Sequence, residues 1–346
     1  MARKRRQGKI PAPAWERHAR GTLRRQVLGR SPKFYATMGI VVLVLAAIGV
    51  VGFAVLTDYI ETRNRPNSTA LKIDDKELTL KYYTERLKNL VQQRGGAGSQ
   101  SADYRIALPS LTEQLIQENT ILRFASEQGQ SASEDDIKTE VARRLGITAD
   151  DPNYDARYQE DVIRSGVTES EYRDMVMATV LQNKVKDKFT ADVPASAESI
   201  HFRQIQARDQ VDADELKAQI EGGADFAALA QEKSLDATTK TSGGDAGWVA
   251  KGTLLKEVED YLFSQELGKA TTYTPAGGGA GSYVFEVLEK AADRPIEESQ
   301  KSTLAQRKLQ EWVSEKRGQL QVVNSMDLST GDADKINWAL ERAYSS

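Results

Sequence analysis

Covalent and metal-assisted catalysis draw on a short list of side chains, and this 346-residue chain holds few of them. It has no cysteine, which removes disulfides, thiol nucleophiles and thiolate metal sites. Its only histidines are His18 and His201. A Ser-His-Asp triad would have to use His201, and a multi-histidine zinc site is impossible. No metal and no cofactor is expected. His201 itself, in Ile200-His201-Phe202-Arg203-Gln204-Ile205, reads as a solvated strand residue rather than a ligand. Gly277-Gly278-Gly279-Ala280-Gly281 is followed by no helix N-terminus, so it reads as a mobile loop and not a phosphate cradle.

The periodicities that must position any site divide the chain. Ala70–Ile73 alternates as a short strand, and Asp74-Asp75 is a turn signal. From Thr79 the spacing of Tyr82, Tyr83, Leu87, Leu90 and Val91 predicts a helix, broken by the flexible run Gly95 to Ser101. Ser110-x-x-Glu113, Ser133-x-x-Asp136 and Thr168-x-x-Glu171 each read as a helix start, and Gly129 and Gly146 as stops. Residues 79–190 are therefore expected to be helical, with apolar stripes that need partners. After Val193-Pro194 the pattern becomes strand (200–207), helix from Asp212 to Glu221, and a short helix from Asp225. A glycine-rich turn at 243–248, a helix near 256–265 and a last strand at 282–288 complete an α+β unit. Beyond Pro295 a long amphipathic helix reaches Arg317, Val322-Val323 reads as a strand and Asp334–Tyr344 as a final helix.

The middle unit resembles the parvulin family of peptidyl-prolyl cis–trans isomerases. The resemblance rests on Gly223-Ala224-Asp225-Phe226-Ala227-Ala228-Leu229-Ala230, Ser234-x-Asp236, Gly243-Gly244-Asp245-x-Gly247-Trp248 and Gly252-x-Leu254, in that order. Glu259-Asp260-x-x-Phe263, Leu267-Gly268 and Val284-x-x-Val287-Leu288 continue it. The flanking helices are similar to SurA-type and PrsA-type foldases, on the strand-turn-helix start, Leu115-Ile116 and the Ala125-to-Gly129 region. The implied fold is α+β: a parvulin-like domain, a small antiparallel sheet with surrounding helices, inserted into an α-helical foldase domain. The expected boundaries are 70–195 for the helical domain and 196–292 for the insertion. Residues 293–346 are expected to pack back on the helical domain.

Prolyl isomerisation needs neither nucleophile nor metal. The barrier of about 18–20 kcal/mol comes from amide resonance, and no bond is made. An apolar slot for the pyrrolidine ring and polar groups that favour the twisted amide suffice in principle. The resemblance maps that slot to Leu254, Val258 and Phe263, the first two smaller than the side chains common in the family. The family's histidine on the first strand is replaced by Gln204, and the one on the last strand by Tyr283. His201 lies three residues before Gln204 and is expected on the opposite strand face. Asp236 matches a position the family fills with Asp or Cys. Gln204, Asp236 and Tyr283 are expected to form a hydrogen-bonded catalytic trio; Trp248 reads as core.

Charge fixes the expected location. Residues 1–35 carry eleven Lys/Arg against Glu16 alone, and Phe34 to Thr57 is a 24-residue run without charge. That run exceeds the about 20 apolar residues that cross a bilayer. It is longer than a signal-peptide core of about 7–15 and lacks a small-residue cleavage site, so a retained anchor is expected. The basic bias places the tail (1–33) in the cytoplasm and everything after a polar stalk (58–69) outside. The remainder carries 36 bases against 49 acids, which argues against nucleic acid as a partner. Three readings follow: a single-pass foldase of the plasma membrane that isomerises X-Pro bonds in translocated polypeptides, a non-catalytic holdase of the same architecture, and a bitopic scaffold.

Overall fold

The computed structural model describes residues 32–95, 101–276 and 281–345. Residues 1–31 of the basic head, the middle of the Gly95 to Ser101 break and Gly277–Ala280 of the glycine loop lie outside them. Two compact units divide the chain after Ser68.

The first unit holds α1 (Pro32–Asn64), 33 residues long and about 50 Å at 1.5 Å per residue. Among the described residues it is the helix long and apolar enough to cross a membrane. It does not stop at Thr57. Residues 58–64 contain no glycine or proline and remain helical, with Arg63 Nη1 donating to the Tyr59 hydroxyl one turn back. At Arg65 the α-helix gives way to a 3-10 turn, Arg65–Asn67, in which Pro66 has no N–H to continue the α-helical bonds. The expected stalk is thus mostly a continuation of the helix.

The second unit begins with β1 (Thr69–Ile73) and β2 (Lys76–Thr79), then α2 (Leu80–Gly95), α3 (Ser101–Phe124), α4 (Glu134–Leu145), α5 (Tyr154–Ser165) and α6 (Glu169–Ala191). Asp74 takes a left-handed φ of 51°, which lets the two-residue turn double β1 back onto β2 instead of leading straight into a helix. The capping boxes at Ser133/Asp136 and Thr168/Glu171 form as expected, and Gly146 ends α4 in the left-handed region.

Ser110, however, lies inside α3 and not at its start. Its hydroxyl donates to the Ala107 carbonyl, because α3 has already run for two turns and passes through Pro109. Proline inside a helix costs about 3 kcal/mol. The N-terminal turns bury Tyr104, Ala107 and Leu108, and each fully buried large side chain returns about 1.5–3 kcal/mol. Packing outweighs the local break.

Next come β3 (Ser196–Ala207), α7 (Gln210–Glu221), α8 (Phe226–Lys233), β4 (Asp245–Ala250), α9 (Lys256–Ser264), β5 (Ala270–Tyr273) and β6 (Ser282–Pro295). Helix α7 starts two residues earlier than the sequence suggests, since Asp209 caps it and accepts from the Asp212 N–H at 2.9 Å. The four strands form an antiparallel sheet in the order β4-β3-β6-β5. Its two long central strands pair from Ser196↔Pro295 to Ala207↔Ser282, with two register shifts.

The chain closes with α10 (Glu298–Arg317), β7 (Val322–Asn324) and α11 (Ala333–Ser345). Strand β7 pairs with β1, giving a three-stranded sheet β2-β1-β7 in what the periodicity alone reads as a helical domain. Met326 and the α11 residues Ile336, Ala339 and Ala343 share one core with Tyr83, Leu108, Leu111 and Leu115. Ala305, Leu309, Trp312 and Val313 of α10 share a second core with Ile121, Leu181, Val185 and Phe189.

Candidate functional site

One face of the four-stranded sheet is covered by α9. Ile200 and Phe202 of β3, Phe285 and Val287 of β6 and Leu262 of α9 form a buried cluster there. The three slot residues expected from the sequence, Leu254, Val258 and Phe263, all pack against this cluster and remain half-buried. Tyr283 joins them, stacked parallel to Phe285 at 5.4 Å between ring centres.

Sequence reasoning missed the aromatic floor. Phe202 meets Phe285 edge-on at 5.8 Å, while Tyr261 and Tyr273 lie 4.9 Å apart, with Tyr273 6.2 Å from Phe285. Strand alternation carried the signal: Phe202 is two residues from Gln204, and Phe285 two from Tyr283. Tyr273 is paired directly with Tyr283 across β5 and β6.

The polar edge of the site is built around Asp236. Gln204 faces Phe285 across the β3–β6 pair, and its side-chain amide donates to Asp236 Oδ2 at 2.7 Å. The Thr239 hydroxyl donates to the same oxygen at 2.6 Å, and the Thr238 N–H donates to Oδ1 at 3.0 Å. Ser234 ties this loop to β3, its hydroxyl accepting from the N–H groups of Gln206 and Asp236. Gly244 closes the arrangement from below. Its carbonyl accepts from the Gln204 N–H at 2.8 Å, its φ is +83°, and a Cβ there would lie 2.4 Å from the Gln204 carbonyl oxygen. Only glycine fits.

Burial pushes the Asp236 carboxyl up. The bonds from Thr239, Thr238 and Gln204 outweigh that, and the group lies below the ordinary carboxylate value. Asp236 is therefore ionised at neutral pH and can only accept hydrogen bonds. It caps the turn at 238–239 and at the same time fixes the Gln204 amide.

The expected trio is thus a bonded pair plus a neighbour. Among the described residues no hydrogen bond joins the Tyr283 hydroxyl to Gln204 or Asp236; register places Tyr283 opposite Gln206, one step along the sheet. His201 is not solvated as the sequence suggested. Its Nε2 lies 2.8 Å from Asp245 Oδ1, and its ring stacks on Trp248, which Arg294 covers at 4.2 Å on its own account. Its strand neighbours Ile200 and Phe202 face the slot, and His201 takes no part in it.

Chemically, the arrangement places an aromatic face near two polar groups, the Gln204 amide and the Tyr283 hydroxyl. Twisting an X-Pro amide breaks resonance and localises the lone pair on nitrogen. An apolar surrounding favours the less polarised twisted form, and a donor at the nitrogen stabilises it further. Among the described residues no cluster of His, Asp and Glu is arranged to hold a metal ion.

This combination of sheet, slot and flanking helices defines a class. Residues 181–291 match the PPIC-type PPIase domain, and residues 33–186 match the SurA-like N-terminal domain. The chain thus carries a PpiC-type PPIase domain and a SurA-like N-terminal domain, and it is homologous to PrsA foldases. The foldase protein PrsA of Geobacillus sp. (strain WCH70) is 30% identical over 153 residues, covering 42% of this chain and 54% of that protein. That of Clostridium tetani (strain Massachusetts / E88) is 23% identical over 237 residues, covering 61% and 68%. The chain spans about half the length of the first curated relatives it matches, between 47% and 56% for five of them. Among solved structures, PrsA from Bacillus anthracis matches at 18% identity and a TM-score of 0.41, over 67% of this chain and 94% of that one. The parvulin domain of PpiD from E. coli matches at 26% identity and a TM-score of 0.25, over 28% and 90%.

Proposed function

We propose that this protein is a membrane-anchored extracytoplasmic foldase that accelerates cis–trans isomerisation of X-Pro bonds in translocated polypeptides. The observation that carries the reading is the Gln204–Asp236 bond set at the rim of the Phe202–Phe285–Tyr283 face, with Leu254, Val258 and Phe263 around it. In this reading the slot residues bind the proline ring. Gln204, held by the ionised Asp236, and Tyr283 stabilise the twisted amide. The 24 uncharged residues from Phe34, the helical length of α1 and the eleven bases of the head support a single-pass anchor with a cytoplasmic N-terminus. The PrsA homology supports foldase work on unfolded chains.

A second reading, a holdase without catalysis, draws on the helical domain. A cavity of about 690 Å³ there is lined by Asn89, Gln92, Gln93 and Gln114 together with Arg86 and Arg144. Arg86 and Arg144 are already paired with Glu118 and Glu140 of the same lining, so the amides of Gln92 and Gln93 are the groups that can pair with the exposed backbone of an extended polypeptide.

Proline-peptide isomerisation by the purified full-length chain separates the two. The foldase reading predicts a rate proportional to protein concentration above the thermal background. A rate at the thermal background, together with suppressed aggregation of an unfolded client, would leave only the holdase.

A further inference from the structure

Helix α10 follows the isomerase-type domain in sequence, yet one of its faces grips that domain's slot loop. The side chains at 300, 304 and 307 fall on a single helical stripe. Gln300 completes the open edge of β4: its amide donates to the Trp248 carbonyl at 2.7 Å and its oxygen accepts from the Ala250 N–H at 2.9 Å. Leu304 rests on Gly252, where its Cδ2 stands 2.8 Å from the position a Cβ would take. The Arg307 guanidinium donates to the carbonyls of Thr253 and Leu254. From the other side, buried Glu259 of α9 accepts from the Gly252 N–H at 2.5 Å. The backbone from Trp248 to Leu254 is therefore clamped between α9 and α10. The opposite stripe of α10, Ala305, Leu309, Trp312 and Val313, is fixed in the core made with α3 and α6.

We propose that Arg307, with Gln300, is a positioning residue for the proline slot, acting through the Leu254 backbone, and that α10 thereby ties the slot wall to the helical domain. This rests on the isomerase reading of the same slot. The physical reason is that Leu254 sits on a loop, between Ala250 and the start of α9, whose carbonyls at Thr253 and Leu254 are held by Arg307 of α10. A loop wall that is not held adds an ordering cost to every binding event. Charge-assisted bonds to two successive carbonyls remove that freedom before the ligand arrives. A fragment ending near residue 292 would lack all three α10 contacts, so its slot would be looser than that of the whole chain.

The test compares the full-length chain with Arg307→Met, which keeps the stem and removes the donors, and Arg307→Lys, which keeps one charged donor. The readouts are KM and kcat for a proline tetrapeptide, and the peptide Kd from NMR titration. Arg307→Met is expected to raise KM and Kd about fivefold to tenfold while kcat stays within about twofold, with Arg307→Lys recovering part of the loss. If Arg307→Met does not fold, Gln300→Met carries the same expectation with a smaller shift. Unchanged KM and Kd in a folded variant of an active chain would overturn the inference and leave the isomerase reading standing. A wild-type chain that binds the peptide without turning it over, with Kd weakened in the variants, would do the reverse. A wild-type chain that neither binds nor turns over the peptide would overturn both.

Discussion

In the helical domain Tyr83, Leu108, Leu111 and Leu115 are sealed from solvent, and the polar groups of Tyr83, Thr112 and Arg86 beside them are paired. The Tyr83 hydroxyl donates to the Leu108 carbonyl and meets Thr112 at 2.8 Å, while Arg86 lies 2.6 Å from Glu118 with only 5% of its side chain exposed. On the slot face of the four-stranded sheet the same residue types surround Phe285, yet Leu254, Val258, Tyr261, Phe263, Tyr273 and Tyr283 are left half-buried. One apolar surface is closed over by α11 and β7; the other is covered by the short helix α9 and the loop before it. Apolar area that the fold does not cover contributes little to stability and remains free for a ligand. The sealed core serves stability, and the open face is the one proposed to bind.

Substitutions in the two cores should separate accordingly. Leu115→Ala in the sealed core is expected to destabilise the fold by about 2–5 kcal/mol, read from denaturant midpoints, with KM for a proline peptide unchanged under native conditions. Phe263→Ala in the open core is expected to do the opposite: about tenfold weaker peptide binding, or about 1.4 kcal/mol, at a stability cost no greater than about 1.5 kcal/mol. A Phe263→Ala protein that loses as much stability as Leu115→Ala would erase the distinction between the cores.

A smaller effect sharpens the polar side of the comparison. Asp236 has a folded pKa below the ordinary carboxylate value, so its contribution is fully present above the unfolded value and is lost as pH falls through the folded one. The pH profile of kcat/KM for the wild-type chain is expected to be flat from about pH 6 to 8, with Asp236→Asn lowering the plateau rather than moving it. A profile inflecting near neutrality would show that another group, not Asp236, sets the site's electrostatics.

Much of this organisation was legible in the residues. The capping boxes at Ser133 and Thr168 form because both partners lie within one turn, and the slot residues on α9 follow from motif order. The Ser110 box was misleading because tertiary burial of Tyr104, Ala107 and Leu108 overrides a local signal and carries the helix through Pro109. Strand β2 and the pairing of β1 with β7, some 250 residues away, depend on tertiary contacts that no local period encodes. At the site, the spacing of Gln204 and Asp236 says nothing of their bond. The contact arises because Gly244 lets the loop approach β3 closely. The grip of α10 on the Leu254 loop, 53 residues away, was equally silent in the sequence.

The most direct test is NMR exchange spectroscopy of an X-Pro peptide with the full-length chain and its Gln204→Leu variant. If a pinned carboxamide beside an aromatic slot eases amide rotation, the wild-type chain gives cis–trans exchange cross-peaks. Gln204→Leu then retains the binding shifts and loses about tenfold in exchange rate, about 1.4 kcal/mol of barrier. Binding shifts without exchange in the wild type, or equal exchange in both proteins, would contradict the account.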